Sequence, residues 1–363
     1  MMLALAVFAF VLLLDMQNVA ARWRSVLSPA DEPVPDFTIL IPLYGDPQYF
    51  RNRQALEPYR DRVALVVRLG PPSMSEFAAA AEREGWRVIR CSGGASPPEL
   101  LREALPAVET TWVIRVDGDT EFTLHPGRAV AAAAAADADV CSVKIVPTSR
   151  RTLAERLQAL EYAMAMLGRH HRPWLTSGAC FVARTDALAE ILGRHSCWFF
   201  GEDIEVGVIA RRLRMRIRHL DFPAMTEVPS DFVSLARQRR GWWAGCFRQT
   251  WVNGDHGLHE PVTLLYGAAL IWLLFVGKVV ALDASVSRLP LLIVVYTALT
   301  AAANWQVRNR WLVLYPYYAL AQAIIMPPLG LLYYVRTAIA RRSLGRYRIP
   351  FRRETWLRPG RSH

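Results

Sequence analysis

Three short stretches of this chain carry residues whose types and spacing could do chemistry. In TWVIRVDGDTEF, 111–122, a strand-like run from Trp112 to Val116 passes straight into two aspartates, Asp117 and Asp119, separated by Gly118. Two carboxylates at a strand end suit a hard divalent cation, because Mg²⁺ or Mn²⁺ takes one or two carboxylates and leaves the rest of its shell to a substrate's phosphates. Gly118 would let a ligand come close to the backbone. The competing reading of the same three residues is a solvated turn. In FFGEDIEVG, 199–207, Glu202 and Asp203 follow two aromatics, and in ARQRRGWWAGCFRQTW, 236–251, arginines interleave with tryptophans on a helical pattern. The last stretch also reads as an amphipathic helix lying at a membrane surface.

The elements that must position these residues are legible around them. DFTILIPLYGD (36–46), RVALVVRLG (62–70), WRVIRCSGG (86–94) and TWVIRVDGD (111–119) are apolar runs ending in turn residues, the mark of buried parallel strands. Helical patterns over SMSEFAAAAEREG and PPELLREALPAV separate them. This alternation predicts a doubly wound α/β sheet. An alanine-rich helix (128–139), a strand (140–147) and an amphipathic helix (153–167) follow. Ligands of such sheets bind outside the carboxyl ends of the strands, which is where Asp117 and Asp119 fall.

The net charge of +11 does not point to nucleic acid, because of where the charge sits. From Arg341 to the end there are eight arginines and one glutamate, directly after an apolar block. The positive-inside rule and anionic lipid head groups account for charge in that position. Apolar blocks at 262–282, 289–304 and 311–335, and an apolar run of about 14 residues at the start, read as membrane segments around a water-facing domain. The organisation expected is an N-terminal anchor over 1–22, a cytosolic catalytic domain over 32–232 and an amphipathic interfacial helix over 233–258. Transmembrane helices over 259–340 and a basic cytosolic tail over 341–363 complete it. The third apolar block contains Pro327 and Pro328 and reads as two half-spans or a span plus an interfacial piece. The five cysteines have neither zinc-site spacing nor the pattern of a disulfide framework.

Taken in order, ILIPLYGD, the D-x-D of Asp117 and Asp119, SGA at 177–179, GED at 201–203 and the Q-x-x-x-W from Gln238 to Trp242 resemble the membrane-integrated family 2 glycosyltransferases. Hyaluronan, chitin and cellulose synthases are of this kind. The resemblance implies a GT-A-type nucleotide-sugar-binding domain followed by interfacial and transmembrane helices. It implies that Pro42 and Tyr44 border the nucleotide, that Asp117 faces the sugar nucleotide, and that Asp119 holds Mg²⁺ or Mn²⁺. Asp203, with Glu202 beside it, would act as catalytic base, and Gln238 and Trp242 would lie over the donor and acceptor sugars. Ser177, Gly178 and Ala179 would floor the acceptor site, with Trp242 beside them.

Those roles suit an inverting transfer. A base takes the acceptor's hydroxyl proton, a cation stabilises the departing diphosphate, and Arg237, Arg239 and Arg240 can add charge-assisted hydrogen bonds to it. The chain departs from the family pattern in three places. No aspartate-rich turn follows the second strand, where Arg68 stands; no lysine follows the third; and Gly241 precedes the signature tryptophan where arginine is usual. The expected activity is polymerisation of an extracellular polysaccharide from a nucleotide sugar, with UDP-sugars as the first choice of donor. The alternative is a single transfer to a membrane lipid. Expected partners are the donor, a carbohydrate or lipid acceptor, the bilayer of the inner membrane and a second copy of the chain.

Overall fold

The structure, a computed structural model, describes residues 25–34, 36–93, 96–252, 294–295, 297–298, 301–302 and 309–349. The expected anchor over 1–22, the apolar block 262–282, most of 289–304 and the tail beyond 349 lie outside the described residues.

Eight strands form one sheet: β1 Phe37–Leu43, β2 Val63–Arg68, β3 Arg87–Cys91, β4 Trp112–Val116, β5 Thr120–Phe122, β6 Val140–Pro147, β7 Cys180–Arg184 and β8 Ile217–Thr226. The helices are α1 Arg53–Leu56, α2 Pro72–Arg83, α3 Pro97–Ala104, α4 Gly127–Ala135, α5 Leu153–Arg169, α6 Thr185–Arg194, α7 Glu202–Arg212, α8 Phe232–Val252 and α9 Tyr315–Ala340. The chain divides into two compact units. One comprises Val26–Ile145, Arg172–Thr226 and Tyr347–His363, the other Met1–Ser25, Val146–His171 and Glu227–Arg346. Neither is a continuous stretch of sequence.

The sheet unit has strand order β3-β2-β1-β4-β7-β6-β8-β5. β1, β2, β3 and β4 are parallel, as their continuous apolar runs predict, and every residue of β1 is buried. A core that includes Leu40, Val66, Leu100, Val113, Phe181 and Ile209 lies against this half. The other half departs from a doubly wound parallel sheet. β7 runs antiparallel to both β4 and β6, and β5 antiparallel to β8, so the sheet is mixed. Cys180–Arg184, which no sequence pattern marked out, is the strand β7.

From β1 the chain winds outward to β2 and β3, and β4 lies on β1's other side. That reversal between β1 and β4 is a topological switch point, and the crevice at the strands' carboxyl ends there is the place for a ligand. Tyr44 follows β1, and Asp117 follows β4. Only residues 117–119 link β4 to β5, although β7, β6 and β8 lie between them in the sheet.

The helical unit holds α5, α8 and α9. α5 begins with a reciprocal cap: Thr152 accepts from the Glu155 N–H and Glu155 from the Thr152 N–H. Leu157, Leu235 and Tyr318 make a small core of α5, α8 and α9. α9 crosses α8 closely at Gly330, where a Cβ would stand 2.5 Å from Cβ of Trp243. Pro327 and Pro328 do not end α9, which is one continuous helix. Among the described residues no helix is long and apolar enough to cross a membrane.

Candidate active site

The turn after β4 is built from its backbone outward. The Thr120 N–H donates to the Asp117 carbonyl at 3.1 Å. Asn52, 1% exposed, clamps the turn: its Nδ2 donates to the carbonyls of Asp117, at 3.0 Å, and Thr120, and its main-chain N–H donates to the Gly118 carbonyl at 2.9 Å. Gly118 is required here, because a Cβ would lie 2.3 Å from the Tyr49 carbonyl oxygen. The backbone that comes close to Gly118 is therefore the chain's own, in place of the ligand expected from the sequence.

The two aspartates have different neighbours. Arg115 and Asp117 are two apart on the chain and share a face. Nη2 of Arg115 donates to Oδ1 of Asp117 at 2.7 Å, with the arginine side chain 4% exposed and the carboxylate 40%. Nη1 of Arg115 is buried without a partner. Asp119 lies instead beside hydroxyls: Thr120 Oγ1 donates to Thr226 Oγ1 at 3.1 Å, and Thr226 Oγ1 to Oδ1 of Asp119 at 3.3 Å. Desolvation first, then the charges of Asp119 and Asp203, push the Asp117 carboxyl up to about 6 against the pull of Arg115.

SGA joins this turn to the second acid pair. β7 pairs with β4 through Val116↔Cys180, and the ladder continues one step as the Asp117 N–H donates to the Ala179 carbonyl at 3.0 Å. Next along, the Gly178 N–H donates to Oδ2 of Asp203 at 3.0 Å. Oδ1 of Asp203 accepts from the Ile204 N–H at 2.9 Å, and Thr176 Oγ1 donates to the Asp203 carbonyl. Ser177 folds onto its own loop, accepting from the Ala179 N–H at 3.3 Å. Unlike Gly118, Gly178 has room for a Cβ, with Nη1 of Arg115 at 3.6 Å and Asp203 at 3.8 Å.

α7 starts at this point because Gly201 takes a left-handed φ of +66° at its N-cap, and Glu202, Asp203 and Glu205 occupy the first turn, where the helix dipole favours negative charge. His195 supports the start from below. Its Nδ1 accepts from the Cys197 N–H at 2.9 Å, so Nε2 carries the proton donated to the Glu202 carbonyl at 2.8 Å. Glu205, fully buried, binds the N–H and hydroxyl of Ser196, both at 2.7 Å. Burial, then the charge of Asp203, pushes the Glu202 carboxyl up to about 8. Tyr44 is pushed up to about 12 by burial and then by Glu202 and Asp117. A cavity of about 10 Å³, bounded by Arg115, Gly178, Glu202 and Asp203 and walled by Phe181 and Val206, has room for about one water.

Pro42 is buried in β1 opposite Val66. The loop after β3, which lacks the family's lysine, is held by Glu103, whose carboxylate accepts from the N–H groups of Ser92 and Gly93 at 2.9 and 3.2 Å. Lys144 pairs with Asp221 at 2.7 Å.

Gln238, Arg239, Arg240 and Trp242 lie on α8 in the helical unit. Arg239 is 2% exposed; its Nη2 donates to Oε2 of Glu161 and its Nη1 to Oε1 of Gln238, both at 2.8 Å. Tyr318 donates to the same Glu161 oxygen at 2.6 Å. The Arg239 guanidinium also lies 3.8 Å over the Trp242 ring, and that of Arg240 lies 4.1 Å over Tyr333. Arg239 thus spends its charge inside the unit, Arg237 is exposed, and Trp242 is 46% exposed.

The donor set at the D-x-D fits a hard cation. Two aspartates supply oxygen ligands, and among the described residues no three His, Cys, Asp or Glu form a complete protein cage. Such a pair leaves coordination positions for phosphate oxygens and water. Residues 112–335, which include the D-x-D, SGA, GED and Q-x-x-x-W, match the family profile described as glycosyl transferase family group 2. The chain belongs to that family. No curated protein matches the sequence. Among solved structures, the glycosyltransferase is similar in fold to the mannosyltransferase PcManGT from Pyrobaculum calidifontis, in complex with GDP-Man and Mn²⁺. Identity is 14% and the TM-score 0.60, over 91% of this chain and 98% of that one. It also matches glucosyl-3-phosphoglycerate synthase from Mycobacterium tuberculosis at 13% identity and a TM-score of 0.40, over 60% of this chain and 85% of that one. S. aureus TarS matches at 16% identity and 0.37, over 57% and 38%. The family 2 glycosyltransferase therefore has a mixed α/β, GT-A-like nucleotide-sugar domain.

Three residues of this site were not anticipated from the sequence: Arg115, Asn52 and Thr226. Arg115 had a signal, a charged residue inside an otherwise apolar strand two positions before an aspartate. Asn52 had none, since its partners are 65 and 68 residues away.

Proposed function

We propose that this family 2 glycosyltransferase transfers sugar from a nucleotide sugar with inversion, using a divalent cation, and works at the inner membrane with its catalytic domain in the cytosol. The observation that carries the reading is the double use of SGA: Ala179 pairs with Asp117 while Gly178 fixes Asp203. One short strand end thereby ties the cation-side acids to a candidate base. Asp119, with Asp117 near it, would hold Mg²⁺ or Mn²⁺, which supplies charge stabilisation for the leaving diphosphate. Asp203 would take the acceptor's hydroxyl proton, with Glu202 beside it. Pro42 and Tyr44 would border the nucleotide, Ser177 and Gly178 the acceptor, and Gln238, Arg240 and Trp242 the donor and acceptor sugars.

The product proposed is an extracellular polysaccharide extended by repeated transfer, with a second copy of the chain helping to form the export path. A single transfer to a membrane lipid is the second reading. It is favoured by the exposed apolar stripe Ile325, Leu329, Leu332, Val335 and Ile339 on α9, which suits an acceptor presented at a bilayer surface. The donor panel should hold GDP-mannose beside UDP-sugars, since the similar mannosyltransferase was solved with GDP-Man and Mn²⁺. The test is incorporation of labelled sugar by membranes containing the protein, with Mn²⁺, Mg²⁺ or chelator. A large product lost in chelator supports polymerisation, and a small lipid-extractable product supports the second reading. Incorporation that persists in chelator would remove the cation from the mechanism.

A further inference from the structure

Asp203, Gly207 and Arg211 are spaced four apart on α7 and so share one face of that helix. The loop that leads into β7 touches this face at all three. The Arg211 guanidinium lies 5.9 Å from the ring centre of buried Trp174. The Trp174 carbonyl oxygen, which accepts from the Thr176 N–H at 2.9 Å, comes up against Gly207. Thr176, also buried, donates its hydroxyl proton to the Asp203 carbonyl, and the Gly178 N–H donates to Oδ2 of Asp203. Gly207 sets how near this loop can come. A Cβ there would overlap the Trp174 carbonyl oxygen and stand 2.7 Å from its carbon. Glycine inside a helix weakens it relative to alanine. Gly193 of α6 has open space around it, and Gly207 has none.

We infer that Gly207 is a positioning residue for Asp203: by leaving the Trp174 carbonyl room against α7, it seats the loop that aims the carboxylate. The inference rests on Asp203 being the base of the transfer proposed above. Asp203 divides its carboxylate between helix and loop, since Oδ1 accepts from the Ile204 N–H of α7 and Oδ2 from Gly178. The distance of the loop from α7 therefore sets how the carboxylate is turned. A methyl group at 207 must lift Trp174, and the lift passes along the same loop through Thr176 to Gly178. A displacement of about 1 Å at a reacting group can cost on the order of 10²-fold in rate.

The experiment measures initial rates of label incorporation from UDP-glucose and GDP-mannose by membranes containing the full-length protein, per amount of folded protein. The proteins are wild type, Gly207→Ala, Thr176→Val, Thr176→Ser, Asp203→Asn and the Gly207→Ala/Asp203→Asn double variant. Gly207→Ala is expected to lower kcat about 10²-fold and to leave the donor KM within about 2-fold of wild type. Thr176→Val, which removes one hydrogen bond of the loop to Asp203, should lower kcat about 10-fold, and Thr176→Ser should restore it. In the Asp203→Asn background, Gly207→Ala should change the residual rate by no more than about 2-fold. A merely structural glycine would lower that residual rate as well, so an equal loss in both backgrounds overturns the inference. If Gly207→Ala fails to fold, the Thr176 pair decides, and an unchanged kcat in Thr176→Val overturns it. If wild type incorporates neither sugar, or Asp203→Asn turns over near the wild-type rate, the proposed function falls and takes the inference with it. Loss of turnover in Asp203→Asn beside a wild-type kcat in folded Gly207→Ala sinks the inference alone.

Discussion

The main-chain N–H of Gly178 donates to Oδ2 of Asp203 at 3.0 Å. This bond aims the carboxylate from a strand end and leaves its orientation independent of side-chain packing. It joins residues 25 apart, one just before β7 and the other in the first turn of α7.

Asp203→Asn keeps an oxygen to accept from Gly178 but loses the capacity to take a proton. Turnover should fall about 10²–10⁴-fold, with nucleotide affinity and melting temperature close to wild type. Initial rates beside a calorimetric binding isotherm check this. Near-normal turnover would transfer the base role elsewhere.

Two glycines separate fold from site. Gly118→Ala drives a Cβ into the Tyr49 carbonyl and should cost about 1–3 kcal/mol of stability. Gly178→Ala meets ordinary contacts and should change stability by about 1 kcal/mol at most. Thermal or denaturant unfolding of both, side by side, tests the contrast.

The Glu202 carboxyl lies at about 8, raised from 4.5 by burial first and then by Asp203. An acid raised on folding binds more protons in the folded chain, so its contribution is complete below about 4.5 and is lost as pH rises through 8. In chelator, wild type should therefore lose stability relative to Glu202→Gln between pH 5 and 8. Parallel melting curves across that window would reveal it; parallel profiles would contradict the burial of this acid.

Glu161→Gln leaves Arg239 buried without its counter-charge and weakens the Tyr318 contact. Breaking such a pair should destabilise the helical unit by about 3 kcal/mol. A shift in the unfolding midpoint measures it, and a Glu161→Gln protein as stable as wild type would mean that Arg239 finds another partner.

What the sequence made legible was local. The four parallel strands announce themselves as uninterrupted apolar runs, and the acids stand at their ends because a sheet of this kind leaves its carboxyl ends open. The antiparallel half was harder to see: Cys180–Arg184 is only five residues long, and its strand character comes from pairing with β4. Gly118 was noticed for the right geometry and the wrong neighbour, since the approach of Tyr49 is a long-range contact. Likewise Arg239 reads as a cation for the diphosphate until Glu161 is seen beside it.

The three residues that join β4 to β5 set a mechanical limit. Four strand spacings in a flat sheet span about 19 Å, whereas the four Cα steps from Val116 to Thr120 reach about 15 Å at most. The sheet must curl until its edge returns toward its centre, and the D-G-D segment is the stitch that keeps the curl closed. Flattening or tightening that curvature pulls directly on Asp117 and Asp119. The shape of the sheet and the spacing of the two acids are thus one variable, with Asn52 and Thr226 fastening the stitch at either side.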